Sequence, residues 1–235
     1  MEKLKKWNII EQEYKNSNKE IIYISTLSGY FWKYSNFFNY DSNCDLSKIQ
    51  NFLGKINPLK EIQNNNDLLK MRFLDNLVIL GILKNLERLN YKISIIGRNI
   101  ESGNKDLLYK EKEFYRNNFN QINFYELNKE QKYEFLFNNK DKLFLTDYSY
   151  FGFEALSVNI KCLFFSKYLR KYFLNFFNDS LVMFNENISN IIKQIDFMDN
   201  MKLEDMKKFK KDLKKQYYLP EAKQFNFKNF IKTLN

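Results

Sequence analysis

The stretch Thr146-Asp147-Tyr148-Ser149-Tyr150-Phe151-Gly152-Phe153-Glu154-Ala155-Leu156 holds the densest set of side chains able to do chemistry. It follows an apolar run, KLFLT, and opens a short helix read over residues 151–158. A helix start offers unpaired backbone N–H groups and the positive end of a dipole, which suits a phosphate. Ser149 adds a hydroxyl, Gly152 permits close backbone approach, and the oxygens of Glu154 can accept from the two hydroxyls of a ribose. A structural reading fits the same residues and is favoured by spacing alone. In it, Asp147 and Ser149 cap the helix and Glu154 complements its dipole.

Two further strand ends bear polar groups. IIYIS at residues 21–25 leads into Thr26-Leu27-Ser28-Gly29, a loop that can face phosphates or serve as an ordinary turn. YKISII at residues 91–96 ends in Gly97-Arg98. The Arg98 guanidinium can pair bidentately with phosphate oxygens, and a surface salt bridge explains it equally well.

Composition narrows the chemistry. The chain of 235 residues has no histidine, which excludes a His general base or a His-containing triad. Its two cysteines, Cys44 and Cys162, form no metal-ligand spacing, so no zinc centre is expected. No DxD motif or carboxylate cluster of the oxygen-ligand type occurs, so neither a metal nor a separate cofactor is expected. The net charge of +10 would suit an anionic partner. Yet Lys, Asn, Ile, Phe and Tyr rise together while Gly and Pro fall to 6 and 2, the pattern of AT-rich coding. The basic residues are dispersed and no nucleic-acid motif is visible, so nucleic acid is not an expected partner. Residues 1–20 are polar and charged and read as no secretory leader. The longest apolar run, residues 77–83, falls well short of the ~18 needed to cross a bilayer. A cytoplasmic protein is expected, with its basic, aromatic tail able to rest on the inner membrane or to pack back across the domain.

The elements that must position these residues alternate. Strands are read at 21–25, 91–96, 122–125, 142–146, 161–165 and 180–184, with helices over 67–90, 106–118, 128–138, 151–158, 188–197 and 203–217. Residues 26–66 read as a polar, aromatic loop region. Strands separated by helices imply right-handed crossovers and a mostly parallel sheet. Apolar strands such as KLFL and KCLFF imply a sheet covered on both faces. Ligands in such sheets bind beyond the carboxyl ends of the strands.

The segment LFLTDYSYFGFEALSVNIKCLFFS resembles the nucleotide-binding part of GT-B glycosyltransferases. It looks most like the bacterial surface-carbohydrate and lipopolysaccharide biosynthesis proteins, and more distantly like the polyglycerol-phosphate transferases. There a strand ends in an acidic-aromatic-serine turn, followed by a glycine, a glutamate, a small-residue helix and the next strand. Asp147, Ser149, Gly152, Glu154 and Ala155 match; Tyr150 is bulky where many relatives carry a small residue. Residues 21–28 and 91–98 match the half-fold more weakly.

The resemblance implies an α/β, Rossmann-like domain over residues 21–218, after a lead-in at 1–20 and before a tail at 219–235. It implies a hexosyl- or ulosonic-acid-transferase using a nucleotide-activated sugar as donor substrate and a glycan or lipid-linked acceptor. Glu154 would hold the ribose. Ser149, with the amides near Tyr150 and Phe151, would hold the phosphates, with Asp147, Gly152, Gly97, Arg98, Ser28 and Gly29 around them. A complete GT-B enzyme has two such halves. Only the donor-binding one is visible here, so the acceptor half would be a separate partner, or the chain is a non-catalytic nucleotide-binding or scaffold subunit.

Overall fold

The computed structural model describes residues 20–27, 31, 68–97, 105–147, 149–167, 182–183, 187–202 and 204–205. Its elements are β1 (Glu20–Ile24), α1 (Leu68–Arg88), β2 (Lys92–Ile96), α2 (Lys105–Asn118), β3 (Ile122–Tyr125) and α3 (Lys129–Asn138). Then come β4 (Leu143–Thr146), α4 (Tyr150–Ser157), β5 (Cys162–Phe165), β6 (Val182–Met183) and α5 (Ile188–Asp199). Residues 1–19 of the lead-in, the tail, most of the loop at 26–66, and the helix expected over 203–217 apart from residues 204–205, lie outside the described residues.

Six strands form one sheet in the order β3-β2-β1-β4-β5-β6, and every neighbouring pair is parallel. This is the Rossmann-like strand order. The chain builds outward from β1 to β3, crosses back through α3, and continues on the other side of β1 with β4. The order therefore reverses between β1 and β4. Successive strand residues point to opposite faces. Thr146 meets α4 at Gly152, while the next residue, Asp147, meets Asn76 of α1. Helices thus cover both faces, and the strands are apolar almost throughout, as in IIYI and CLFF.

Helix α1 shows why the elements form where they do. Its 21 residues span about 31 Å at 1.5 Å per residue. Met71, Leu74, Leu77, Leu80, Leu83 and Leu86 are all buried; a three-residue spacing drifts by about 60° per step, so the buried surface wraps most of the way round α1. The chain leaves α1 through Asn90, whose φ of 64° is left-handed. Tyr91 N–H donates to Leu86 O at 3.0 Å and Asn90 N–H to Glu87 O at 2.9 Å, the pairing that closes a helix. Asn159, φ 65°, ends α4 in the same way, with Ile160 N–H on Ala155 O at 3.0 Å. Asparagine does here what glycine usually does, in a chain with only 6 glycines. Helix α3 begins at Asn128, as its sequence suggests, with a reciprocal bond pair to Gln131.

The amino ends of the strands are held by charge. Glu87 accepts from Asn120 N–H at 2.6 Å and Gln121 N–H at 3.2 Å, and pairs with Lys84 at 2.8 Å. Glu20 accepts from Ser94 Oγ at 2.6 Å and faces Lys142 at 3.4 Å and Lys92 at 3.7 Å. Burial alone would raise the Glu20 carboxyl. The Ser94 hydroxyl and the two lysines outweigh it and hold the group below its ordinary value. These contacts lie at the opposite end of the sheet from the site.

Candidate functional site

The carboxyl ends of β1 and β4 meet at the reversal of strand order. Past Ile24 the chain keeps its register for one residue, with Ser25 N–H on Ile96 O at 3.0 Å. Thr146 Oγ donates to Ile24 O at 3.2 Å and ties the two strand ends together. Two buried polar networks follow.

In the first, Asp147 accepts from Thr26 Oγ and from Asn76 Nδ2 of α1. Asn76 Nδ2 also reaches Thr26 Oγ at 2.9 Å, closing a triangle. Asp147 is only 2% exposed and Asn76 3%. The adjacent Asp75 accepts the backbone N–H of Lys167 at 2.9 Å, just beyond β5. One polar pair on α1 thus fastens that helix to the ends of β1, β4 and β5. Burial lowers the pKa of the Lys167 ammonium from its ordinary value, and the Asp75 charge works against that shift.

In the second network, Ser25 Oγ donates to Glu111 of α2 and lies 2.9 Å from Tyr115 Oη. Glu111 is 1% exposed. Tyr23 stands between the networks, its ring edge-on to Tyr115 with centroids 6.4 Å apart. Its hydroxyl makes no hydrogen bond of ordinary geometry. Burial, and after it the negative charge of Asp147, push the Tyr23 phenol well above its ordinary range. Burial does the same for Tyr115, helped by Tyr23 and Glu111. Both phenols are therefore neutral at any physiological pH.

The residues singled out in the sequence fall into three groups. Asp147 belongs to the first network and does not cap α4. Ser149 does cap it: its Oγ accepts from Phe151 N–H at 3.2 Å. An oxygen that accepts in this way keeps its own O–H as a donor. Tyr150 is 57% exposed at the mouth of the helix. Glu154, half-buried one turn further on, accepts from Tyr133 Oη of α3 at 3.2 Å. The structure therefore turns Glu154 toward α3, five positions and about 140° round the helix from Ser149.

The two glycines are explained by packing. A Cβ on Gly152 would lie 2.8 Å from Thr146 Cγ2 and 3.0 Å from the Phe164 ring, and one on Gly97 would lie 2.5 Å from Phe124 Cζ. Gly152 lets α4 sit down on β4 and β5, and Gly97 makes room for the side chain of Phe124. Ser28, Gly29 and Arg98 lie outside the described residues.

Sequence reasoning passed over Asn76, Asp75, Glu111, Tyr115, Tyr23 and Tyr133. One signal was present for the first two: an Asp-Asn pair interrupts the apolar face of α1 between Leu74 and Leu77. Glu111 had another, since it shares one face of α2 with the buried Leu108, Phe114 and Tyr115.

Chemically the edge is rich in acceptors and hydroxyls. Among the described residues no group of three or more His, Cys, Asp or Glu could hold a metal ion, and no helix is long and apolar enough to cross a membrane. Cys162 is fully buried in β5, and burial pushes its thiol far above the range in which a thiolate forms. No family model, characterised protein or solved structure matches the chain.

Proposed function

We propose that this chain is the donor-binding half of a glycosyltransferase, holding a nucleotide-activated sugar beyond the carboxyl ends of β1 and β4. The observation that carries the reading is the reversal of strand order between those two strands. It sets residues 25–27 and the segment from Asp147 to Glu154 side by side where a crevice opens in this topology. The resemblance of residues 146–166 to the nucleotide-binding part of GT-B enzymes supports it.

In this reading Ser149 uses its oxygen to cap α4 and its proton to donate to a phosphate oxygen. Glu154, about 140° round α4 from Ser149, accepts from a ribose that reaches the α3 side of the helix. The rigid networks under the edge keep the two strand ends in register while a ligand enters and leaves. Transfer breaks the bond between the anomeric carbon and the nucleotide phosphate and forms one to an acceptor hydroxyl, whose proton passes to a base. The base and the glycan or lipid-linked acceptor would come from a partner half, in surface polysaccharide or lipopolysaccharide assembly.

A second reading, a nucleotide-binding or scaffold subunit without transfer activity, is favoured by one observation. Asp147 and Glu111, the carboxylates nearest the reversal point, are 2% and 1% exposed and already hydrogen-bonded. Neither is placed to take a proton from an acceptor.

Calorimetry with uridine, cytidine, guanosine and adenosine diphosphates tests the common part of both readings. One of these should bind in the micromolar range, about −8 kcal/mol, and Glu154→Ala should weaken it about tenfold or more. Absence of binding to all four, with Glu154→Ala silent, would refute it. Transfer activity in the isolated chain would dismiss the scaffold reading.

A further inference from the structure

The contact between Glu154 and α3 is absent from any reading of the sequence, and it decides how that carboxylate can be used. Tyr133 is fixed before it reaches Glu154. Its ring stands edge-on to Phe151, with centroids 6.1 Å apart and planes at 66°. Phe151 is a buried anchor of α4, 9% exposed, and Lys132 Nζ lies 5.8 Å from the centre of its ring. With its ring held in this seam, Tyr133 donates its hydroxyl to Glu154 Oε1 at 3.2 Å.

A carboxylate on an exposed helix ordinarily samples several rotamers. A hydrogen bond from a phenol of a neighbouring helix favours the rotamer that faces that helix, and a carboxylate has several lone-pair sites. Tyr150, on the same face of α4 one turn nearer the helix start, carries an aromatic ring that is 57% exposed. An acceptor beside an exposed ring suits a ribonucleoside: a diol to donate and a base to stack. Burial, and after it the Glu154 charge, raise the Tyr133 phenol, so it stays a neutral donor.

We infer that Tyr133 is a positioning residue whose hydroxyl sets the orientation in which Glu154 meets the ribose. The inference rests on the donor-binding reading above and adds a residue to it.

The test compares the four ribonucleoside diphosphates with their 2′,3′-dideoxy forms by calorimetry on the full chain, wild type, Tyr133→Phe and Glu154→Gln. The wild type should prefer the ribo form by about tenfold or more, the effect of hydrogen bonds to a charged group. Tyr133→Phe should remove most of that preference by weakening the ribo form alone, with the melting temperature close to wild type. Glu154→Gln should do the same. Full retention of the preference in Tyr133→Phe would overturn the inference while leaving nucleotide binding intact. So would equal weakening of both forms, the mark of a merely structural tyrosine. A wild type that binds none of the nucleotides would overturn the donor-binding reading and this inference with it.

Discussion

Replacing Asp147 by alanine should cost the fold about 3–5 kcal/mol, a large part of the 5–15 kcal/mol that holds a domain together. The carboxylate accepts from Thr26 Oγ and Asn76 Nδ2, and all three residues are at least nine-tenths buried. Without it, both donors lose their charged acceptor in a region with little access to water. Each orphaned donor carries a penalty of about 1–3 kcal/mol. Relief of the desolvated charge offsets part of this, which keeps the figure below the sum of the two upper limits. Asp147→Asn, which keeps the shape and one acceptor oxygen, should lose less, about 1–3 kcal/mol. Lys193→Ala, on the exposed side of α5, should stay within about 0.5 kcal/mol. Urea unfolding would measure all three. A loss below about 1 kcal/mol for Asp147→Ala would mean that the triangle does not brace the strand ends.

Gly152→Val should destabilise by about 3 kcal/mol, the upper end of the overpacking range. The reason lies in what the new Cβ meets. Thr146 Cγ2 would be 2.8 Å away, and Thr146 cannot turn its methyl aside without giving up the 3.2 Å bond from its hydroxyl to Ile24 O. The Phe164 ring, 3.0 Å away, is fully buried against Phe153 with centroids 4.6 Å apart. Gly152→Ala meets the same atoms but recovers about 1 kcal/mol of helix propensity, so its net loss should be nearer 1 kcal/mol. Adding Thr146→Ser removes the obstructing methyl and keeps the hydroxyl. The double variant Gly152→Ala, Thr146→Ser should therefore be more stable than the sum of its two single changes. Strict additivity in denaturant midpoints would show that α4 is not seated against Thr146.

The alternation of strands and helices was legible because apolar runs of strand length and helical periodicity are local signals. Residues 21–25 were expected for β1 and Glu20–Ile24 are found. Residues 151–158 were expected for α4 and Tyr150–Ser157 are found. Of the strand expected over 180–184, Val182–Met183 are found in β6, and residues 180, 181 and 184 lie outside the described residues. A mostly parallel, Rossmann-like sheet was expected, and the order of its strands, which sets where a crevice can open, emerges only from long-range pairing.

The site was legible as a segment and not as an arrangement. Ser149 was recognised as a cap or a phosphate donor, and its geometry allows both. Gly152 read as space for a ligand because spacing does not say what lies beneath a helix; beneath it lie Thr146 and Phe164. Asp147 read as a helix cap or as one of the groups around the phosphates, whereas Asn76, 71 positions away, holds it in a buried triangle that no local spacing reveals. Tyr133 carried no signal at all, because its role depends on two helices meeting.

Amide hydrogen exchange, with and without a saturating nucleoside diphosphate, tests the location of the ligand most directly. Ligand should slow exchange at residues 25–27 and 149–154, flanking the reversal of strand order, and leave the amino-end contacts around Glu20 and Glu87 unchanged. Protection confined to that opposite end of the sheet, or spread evenly with none at residues 149–154, would contradict the account.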